Sequence, residues 1–311
     1  MVTGGAGFIG SHLVERLLRE GLEVRVLDNF STGNPENLAA VASCVELVEG
    51  DVCDYEVVCE AMQAVEIVFH LAALCSVARS LKEPQRTNTV NIAGTLNVLL
   101  AARDERVRRL VYASTSSVYG DTPTLPKQED QTPDPTSPYA VTKLAGELYC
   151  RIFYQLFGLE TFSLRYFNVF GSRQVRDSAY AAVIPRFVIA LMTGQPPMIH
   201  GDGQQSRDFT YIDDAVEANL LAMKAHTGFG EAFNIAFGQR TSVMQLASYL
   251  MELLGVAMQP IHNKRRAGDV RHSLADVSKA KALLGYHPST DLLTGLGYTV
   301  EWYRNHGGSV S

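Results

Sequence analysis

The chain is poor in cysteine, and the five cysteines that it has show no pairing pattern. They are odd in number and scattered, and none forms a C-x-x-C motif: Cys44, Cys53, Cys59, Cys75 and Cys150. This spacing argues against a disulfide framework and against a zinc site. The eight histidines do not gather at metal-ligand spacings, so His12 and His70 are expected to pack or to form hydrogen bonds. We expect reduced, mostly packed cysteines and no bound metal.

Long runs of apolar residues and long runs of basic residues are also missing. No apolar stretch approaches the ~20 residues that span a bilayer, and the chain enters a strand directly instead of showing a signal peptide. The net charge is −6 with no long basic run, so neither nucleic acid nor a membrane surface is an expected partner. These absences predict a cytoplasmic globular protein that meets anionic ligands with local arginines.

What the sequence has is a regular alternation of strand and helix patterns. Strand-like apolar runs lie at 24–27, 45–48, 67–71, 110–113 and 161–166, and helical stretches at 9–20, 55–63, 90–103, 139–157 and 181–193. Such alternation predicts a parallel sheet that is covered on both faces. After residue 168 loop-rich segments predict a second lobe, and the chain then returns to the first lobe through 213–224 and 232–236. The expected fold class is α/β, a Rossmann-type doubly wound parallel sheet with a smaller interleaved C-terminal α/β lobe.

A glycine turn near the N-terminus predicts a dinucleotide site. Residues 4–10 read Gly-Gly-Ala-Gly-Phe-Ile-Gly between a strand and a helix start, where a pyrophosphate can lie over helix N–H groups. The spacing G-x-x-G-x-x-G differs from G-x-G-x-x-G, so a purely structural turn stays open. The next strand ends at Asp28, close to the ~20-residue interval at which a carboxylate meets a ribose. Because no arginine follows at once, NAD is favoured over NADP; a turn-capping role for Asp28 is the alternative.

Tyr139 and Lys143 are four residues apart, so on a helix their side chains face the same way. Bringing a tyrosine pKa from ~10 to about 7 requires roughly 4 kcal/mol of preferential stabilisation of the phenolate. A neighbouring ammonium group supplies stabilisation of this kind. The pair therefore predicts a general base near neutral pH.

Several motifs together resemble the extended short-chain dehydrogenase/reductase superfamily: TGGAGFIG at 3–10, LDNFSTG at 27–33, GDV at 50–52, HLAA at 70–73, STSSVYGD at 114–121 and SPYAVTK at 137–143. Three later motifs narrow the resemblance to sugar-nucleotide epimerases: RYFNVFG at 165–171, SRDFTYIDD at 206–214 and RRAGDVRHSLAD at 265–276. The chain is most similar to UDP-hexose 4-epimerases, particularly those that act on N-acetylated UDP-sugars. The resemblance covers essentially the whole chain.

The resemblance implies roles for individual residues. Tyr139 would be the base, Lys143 would hold the nicotinamide ribose and lower the pKa of Tyr139, and Thr115 would bond to the reacting hydroxyl. The implied NAD-binding residues are Gly4, Gly7, Phe8, Ile9, Gly10, Asp28, Asn29, Ser31, Thr32, Gly33, Asp51, Val52, Leu71, Ala72, Ala73, Asn91, Tyr139, Lys143 and Tyr166. The implied substrate-binding residues are Cys75, Ser116, Asn168, Gln174, Ala182, Val183, Arg207, Arg266, Asp269 and Ser273.

Two arginines fit two phosphates, because each guanidinium can bind bidentately; for Arg266 a solvated surface position is the alternative. The NAD-binding domain would comprise 1–167 and about 208–238, and the UDP-sugar domain about 168–207 and 239–311. By resemblance we also expect a homodimer paired through the helix of Tyr139. The apolar residues Leu144, Leu148 and Ile152 of that helix are by themselves more typical of core packing.

The implied activity is NAD-dependent 4-epimerisation of a UDP-hexose through a 4-keto sugar, with NAD tightly bound and recycled. Related dehydratases carry an Asp-Glu pair after the catalytic threonine and decarboxylases a glutamate, where this chain has Ser116 and Ser117. Small Ser273 favours UDP-GlcNAc/UDP-GalNAc, whereas Cys75 in place of a glycine could crowd the acetamido group, so UDP-Glc/UDP-Gal stays open. A net NAD(P)H-dependent reductase or dehydrogenase and a non-catalytic NAD sensor are the alternatives, since fold alone does not separate them.

Overall fold

The computed structural model describes residues 1–174, 182–265 and 270–306. Its strands are β1 (Val2–Thr3), β2 (Val24–Asp28), β3 (Val45–Glu49), β4 (Ile67–His70), β5 (Arg109–Thr115), β6 (Glu160–Tyr166), β7 (Val169–Phe170), β8 (Met198–His200), β9 (Ser206–Asp208), β10 (Thr210–Tyr211), β11 (Glu231–Ile235), β12 (Arg240–Ser242) and β13 (Ile261–Asn263). Seven of these strands form one parallel sheet in the order β11-β6-β5-β4-β1-β2-β3. The order runs outward in both directions from β1, which confirms the predicted doubly wound fold.

Helices cover both faces of this sheet. The α-helices of the described residues are α1 (Phe8–Arg19), α2 (Tyr55–Met62), α3 (Val77–Lys82), α4 (Pro84–Asn88), α5 (Thr95–Asp104), α6 (Pro138–Phe157), α7 (Val183–Met192), α8 (Ile212–Lys224), α9 (Val243–Leu254), α10 (Ser278–Leu284) and α11 (Leu292–His306), of which α7, α9 and α11 pack together in the second half of the chain. Neighbouring strand residues enter different cores: Val26 and Val111 pack with α1 and α8, whereas Leu27 and Leu110 pack with α2, α5 and α6. This alternation explains why the strands read as continuous apolar runs.

Local sequence sets the ends of α6, the helix that carries Tyr139 and Lys143. The Ser137 hydroxyl accepts the Ala140 N–H at 3.2 Å, and Pro138 occupies the first helical position. Gly158 ends the helix with φ +72°, a left-handed conformation that suits glycine. The helix predicted at 139–157 is thereby confirmed.

The helix predicted at 90–103 is only partly right. Thr89–Gly94 forms a wider π-type turn, and the regular helix α5 begins at Thr95. The Thr95 hydroxyl donates to the carbonyl of Asn91 at 2.7 Å inside this turn. A π-type turn changes the hydrogen-bonding partner but hardly the apolar pattern, so periodicity does not reveal it.

The second half of the chain alternates between the main sheet and small two-stranded sheets. β7 pairs with β10, β9 with β12 and β8 with β13. β11 returns to the main sheet beside β6, and α8 precedes it, as the patterns at 232–236 and 213–224 predict. The described parts of the chain contain no helix with the length and apolar character that crossing a membrane requires.

Two expectations about packing are only partly right. Leu144 of α6 packs against the core, but Leu148 and Ile152 are 45% and 40% exposed and do not belong to it, although their spacing is that of a buried stripe. Of the five cysteines, all free thiols, only Cys150 is buried, while Cys75 and Cys44 are exposed. Sequence spacing places residues on one helix face but does not say whether that face is covered.

Candidate active site

A cavity of about 600 Å³ opens over the carboxyl ends of β1, β2, β4, β5 and β6. It is lined by nearly all the residues predicted to bind the cofactor: Gly4, Gly7, Phe8, Ile9, Gly10, Asp28, Asn29, Ser31, Thr32, Gly33, Asp51, Val52, Leu71, Ala72, Ala73, Tyr139, Lys143 and Tyr166. Thr115, Ser116, Cys75, Asn168, Gln174 and Ala182 line the same cavity. The position agrees with the general rule that ligands of doubly wound sheets bind outside the carboxyl ends of the strands.

The glycine turn brings the backbone close to this cavity. A Cβ atom on Gly10 would lie 2.2 Å from the Gly4 carbonyl oxygen, and one on Gly4 would lie 2.7 Å from the Ala72 nitrogen. Gly4 also has φ +71°, which side chains rarely adopt. Larger residues at these positions would force the turn apart, so the close approach itself requires glycine.

The N-terminus of α1 is built to receive an anion. Gly7 is the N-cap and has no side chain to bond to the first N–H groups, and the first turn carries no acidic residue. The donors of this turn therefore face the cavity with the positive end of the helix dipole. By contrast, α2 and α6 are capped by Asp54 and Ser137. The donor set fits the pyrophosphate of a dinucleotide.

Asp28 has the turn-capping role that the sequence left as one alternative, and its place in the cavity wall is compatible with the other, a bond to a ribose. Its Oδ1 accepts the Phe30 N–H at 2.9 Å, which caps the turn after β2. Its Oδ2 accepts the Ala6 N–H at 2.9 Å, which ties β2 to the glycine turn. Asp28 is 7% exposed but still lines the cavity, and each carboxylate oxygen has a further lone pair for a ribose hydroxyl.

Asn29 and Asp51 form a hydrogen-bonded pair in the wall of the larger cavity. The Asn29 amide donates to Asp51 Oδ2 at 2.8 Å, and Asp51 Oδ1 accepts the Cys53 N–H at 2.8 Å. Burial alone would raise the pKa of Asp51, but the hydrogen bonds from Cys53 and Asn29 outweigh it and lower the pKa. Asp51 is thus held as a carboxylate.

Asn91 is the one predicted cofactor residue that does not line the cavity. Its Oδ1 accepts the Leu74 N–H at 2.8 Å, and its amide nitrogen donates to the Leu74 carbonyl at 3.2 Å and to Thr142 Oγ1 at 3.0 Å. The side chain is 1% exposed. Asn91 therefore lies behind the wall and fixes the loop after β4 to α6.

His70, at the end of β4, belongs to a directional chain of hydrogen bonds beneath the cavity. Its Nε2 lies 3.0 Å from Thr95 Oγ1, whose proton goes to the Asn91 carbonyl, so Nε2–H donates. Its Nδ1 accepts from Thr3 Oγ1 at 2.7 Å. Burial, aided by the charge of Lys143, lowers the pKa of His70 to about 3. His70 is a neutral hydrogen-bonding residue, as its isolation in the sequence predicts; His12 likewise bonds to Ser172 and to the Phe8 carbonyl, each at 2.9 Å.

Thr115, Tyr139 and Lys143 meet where β5 faces α6. Tyr139 is 7% exposed, and burial followed by the charge of Cys75 raises its pKa, while a hydrogen bond with Thr115 acts in the opposite direction. Burial therefore acts against the pKa near 7 that the sequence predicts, and that value stays a prediction. Spacing places Lys143 one helical turn from Tyr139, but it could not show how strongly burial penalises the phenolate.

Lys143 points its ammonium group at the strand beside it. Its Nζ donates to the Ala113 carbonyl at 2.7 Å and lies 4.8 Å from the centre of the Tyr112 ring. Lys143 is 3% exposed. Burial lowers its pKa, whereas Cys75, Cys150 and Glu147 favour the charged form. Among the described residues that line the cavity, Lys143 and Arg79 are the cations.

A second cavity of about 270 Å³ adjoins the first and shares Asn168, Val169, Gln174 and Ala182 with it. Its wall includes two further predicted substrate residues, Val183 and Arg207. Arg207 Nη1 donates to the Ser206 carbonyl at 2.9 Å. The lining of this cavity combines apolar side chains with basic ones, which suits a nucleotide.

Three predicted substrate residues lie elsewhere. Arg266 and Asp269 are outside the described residues. Ser273 is 8% exposed and lines neither cavity; its backbone N–H donates to the Ser206 carbonyl at 3.1 Å. Its role as a gate beside the sugar stays a prediction.

Sequence reasoning missed several wall residues. Ser76, Val77 and Arg79 line the larger cavity, and Arg186, His200 and Gln205 line the smaller one. Ser76 caps α3 through its bond from the Arg79 N–H at 3.1 Å. A serine N-cap signal directly after a strand that ends at the cavity could have indicated this segment. The residues of the smaller cavity carry no comparable signal.

Comparison with known proteins agrees with the geometry. Residues 1–236 match the model of the NAD dependent epimerase/dehydratase family. The chain is 39% identical over 309 residues to a UDP-glucose 4-epimerase of Mycolicibacterium smegmatis, covering 98% of each. A UDP-glucose 4-epimerase of Thermotoga maritima, solved with UDP-glucose, is 40% identical with a TM-score of 0.94 and 98% of each chain covered. A UDP-N-acetylglucosamine 4-epimerase of Methanobrevibacter ruminantium, solved with UDP-N-acetylmuramic acid, is 37% identical with a TM-score of 0.94, over 98% of this chain and 97% of that one.

The chain therefore belongs to the NAD dependent epimerase/dehydratase family, and NAD is the cofactor of this family. It is similar in sequence to decarboxylases and dehydratases as well as to 4-epimerases. The superfamily predicted from the motifs is thus confirmed. Sequence similarity alone does not distinguish which reaction of the family, epimerisation, decarboxylation or dehydration, this chain catalyses.

Proposed function

We propose that the chain catalyses NAD-dependent 4-epimerisation of a UDP-hexose, with UDP-GlcNAc and UDP-GalNAc as the favoured pair. The observation that carries the proposal is the placement of Tyr139 with Thr115 in the wall of the dinucleotide cavity. Binding of NAD alone would need no phenol there. The adjoining basic cavity with Arg207 suits the UDP portion.

The charges of the cavity wall support epimerisation over elimination. Among the described residues that line the larger cavity, the only carboxylates are Asp28 and Asp51, which belong to the adenosine end. Ser116 and Ser117 follow Thr115 where dehydratases resembling this family carry two acids. A 4-keto sugar next to Tyr139 would meet no described carboxylate able to promote loss of water or carbon dioxide.

In the proposed mechanism Tyr139 takes the proton of the 4-hydroxyl group and later returns it, while Thr115 bonds to the same oxygen. When bound, NAD would be held by cavity residues such as Gly4, Asp28 and Lys143 and would supply reversible hydride transfer at C4, so that the hydride could return to the other face of the keto sugar. The reaction therefore has no net redox change. Since burial raises the pKa of Tyr139, the ammonium group of Lys143, one helical turn away, is the group that would offset the penalty during catalysis.

The test uses purified protein without added cofactor and the four sugars UDP-GlcNAc, UDP-GalNAc, UDP-Glc and UDP-Gal, with products identified by NMR. We expect retained NAD and epimerisation of at least the acetylated pair. Tyr139→Phe should lower turnover about 100-fold or more, because it removes a general base, and should leave NAD retention unchanged. Undiminished turnover in Tyr139→Phe would overturn the role of the phenol, a need for stoichiometric NADPH would indicate a reductase, and NAD binding without any conversion would indicate a sensor.

Substrate preference is tested at Cys75 and Ser273. Cys75 is exposed in the larger cavity, so Cys75→Gly should raise kcat/KM for the acetylated sugars and change little for the plain ones. Ser273→Tyr should reduce activity on the acetylated sugars alone. If Ser273→Tyr kept full activity on them, the gating role would be wrong.

The remaining parts of the proposal are assembly, domain roles and location. The exposed apolar residues Leu148 and Ile152 of α6 support the homodimer expected from the resemblance. The assignment of 1–167 with about 208–238 to NAD, and of the rest to the UDP-sugar, stays a prediction. The cytoplasmic location also stays a prediction.

A further inference from the structure

A buried polar row crosses three strands directly behind the candidate catalytic residues. In the sheet register Ser114 of β5 lies opposite Arg165 of β6, and Arg165 lies opposite Asn234 of β11. All three are buried. The next register pair is Thr115 and Tyr166, and both line the larger cavity. Because side chains alternate along strands, the two rows point to opposite faces of the same strand ends. Ser114, at one end of the polar row, also contributes to the lining of the larger cavity.

Glu147 of α6 accepts hydrogen bonds from two members of this polar row, Arg165 and Ser114. Arg165 donates to it bidentately, from Nε to Oε1 at 2.9 Å and from Nη2 to Oε2 at 2.7 Å. The Ser114 hydroxyl donates to the same Oε1. The ion pair is almost completely shielded from solvent, with 5% and 7% side-chain exposure. Such a pair holds its geometry, since a displaced partner would leave a buried charge uncompensated.

A second hydrogen bond joins α6 to the end of β5. Lys143 lies one helical turn before Glu147 and donates to the carbonyl of Ala113 at 2.7 Å. Two successive residues of β5, Ala113 and Ser114, are therefore tied to two successive turns of α6. The next residue along the strand is Thr115. The double attachment fixes where Thr115 lies relative to the Tyr139 ring.

We propose that Glu147 is a positioning residue: held by Arg165, it fixes Ser114 and so places Thr115 and Lys143 relative to Tyr139. For its kinetic consequence this inference rests on the proposed function. The arrangement does not involve contact of Glu147 with substrate, so its removal should affect turnover and not substrate affinity.

Ser114→Ala tests the link without breaking the buried ion pair. Tyr119→Phe is the matched control, because the Tyr119 hydroxyl accepts from Arg165 Nη1 and donates to Asn234 Oδ1, both at 2.7 Å, at the other end of the network. Each variant removes one buried hydroxyl from the Arg165–Glu147 pair, so a purely structural network predicts similar losses of thermal stability and unchanged kcat in both. We expect Ser114→Ala to lower kcat about tenfold or more with KM within about twofold, as for a misplaced reacting group, and Tyr119→Phe to keep kcat.

Hydrogen exchange read by mass spectrometry supplies a readout that needs no substrate. In NAD-loaded protein, Ser114→Ala should speed exchange at 113–117 and 140–147, whereas Tyr119→Phe should not. If the wild type epimerises none of the four UDP-sugars but the exchange result holds, the proposed function fails and the positioning role stands. If the wild type epimerises and Ser114→Ala matches Tyr119→Phe in kcat, or if exchange at 113–117 is unchanged, the positioning role is wrong.

Discussion

At the scale of single residues, burial decides the chemistry that spacing only suggests. Tyr139 and Lys143 lie on one helix face as predicted, yet the phenol and the ammonium group are both pushed toward their neutral forms by burial. The residues could be read from the sequence because the motif fixes their identity and offset. Their proton affinities could not, since these depend on what packs around them.

His70 gives a pH prediction at this scale. Its pKa is lowered in the folded chain to about 3, from a usual value of 6.5. Between these values the unfolded chain binds the extra proton, so stability is lost as the pH falls from about 6.5 toward 3. The loss from this one group should be about 2 kcal/mol between pH 7.5 and pH 5.

Urea unfolding at several pH values measures this effect. His70→Asn removes the titrating ring, so its free energy of unfolding should fall less steeply on acidification than that of the wild type. His226 is exposed, and His226→Asn is the control that should follow the wild-type slope. Equal slopes for the wild type and His70→Asn would contradict the prediction.

At the scale of elements, the strands and the long helices could be predicted and the irregular turns could not. The five predicted strands and α6 agree with the structure within a few residues. The 3₁₀ turn at Pro35–Cys44, the π-type turn at Thr89–Gly94 and the short helix α3 were not foreseen. Their hydrogen bonds depend on individual side chains such as Asn34 and Ser76, and not on an apolar period.

The glycine turn carries a prediction of its own. In Gly10→Ala the new Cβ would meet the Gly4 carbonyl at 2.2 Å, so the turn must open. We expect weaker NAD retention and a loss of about 1–3 kcal/mol in the free energy of unfolding, as for other overpacked sites. NAD retention is measured by absorbance after gel filtration, and stability by urea unfolding.

Gly297 of α11 provides the matched control for Gly10. A Cβ there would have no neighbour within 4 Å, and alanine in a helix interior is favoured over glycine by about 0.5–1 kcal/mol. Gly297→Ala should therefore keep NAD and be slightly more stable. If Gly10→Ala retained NAD as well as Gly297→Ala does, the close approach would not matter for binding.

At the scale of the whole molecule, the sequence predicts the doubly wound sheet and its cavity but not which surfaces are covered. Nearly every residue assigned to the cofactor lines one cavity, because most of them lie at or just after strand ends, which meet at one edge of the sheet, while Tyr139 and Lys143 reach the cavity from α6. Asn91 is the exception, since its position within a helical turn hides it behind the wall. The exposed stripe on α6 could not be told from a buried one, because both have the same period.

That stripe yields a prediction about assembly. Leu148 and Ile152 are exposed together with Val141 and Leu156 of the same helix, and a homodimer would cover them. Leu148→Glu/Ile152→Glu should give a monomer in size-exclusion chromatography with light scattering, because charges at a buried apolar interface are not tolerated. Leu22→Glu, at a similarly exposed leucine away from α6, should leave the dimer intact. A wild-type monomer, or a double variant that stays dimeric, would exclude this interface.

The N-terminus of α1, where Gly7 provides no cap, has a consequence for the lifetime of the protein. A dinucleotide bound at this helix end would stabilise the folded state. At a concentration 100-fold above its Kd, such a ligand adds about 2.7 kcal/mol to the free energy of unfolding. A shortage of NAD would therefore have two effects: the enzyme would lose activity, and the NAD-free protein would unfold more often and be degraded sooner.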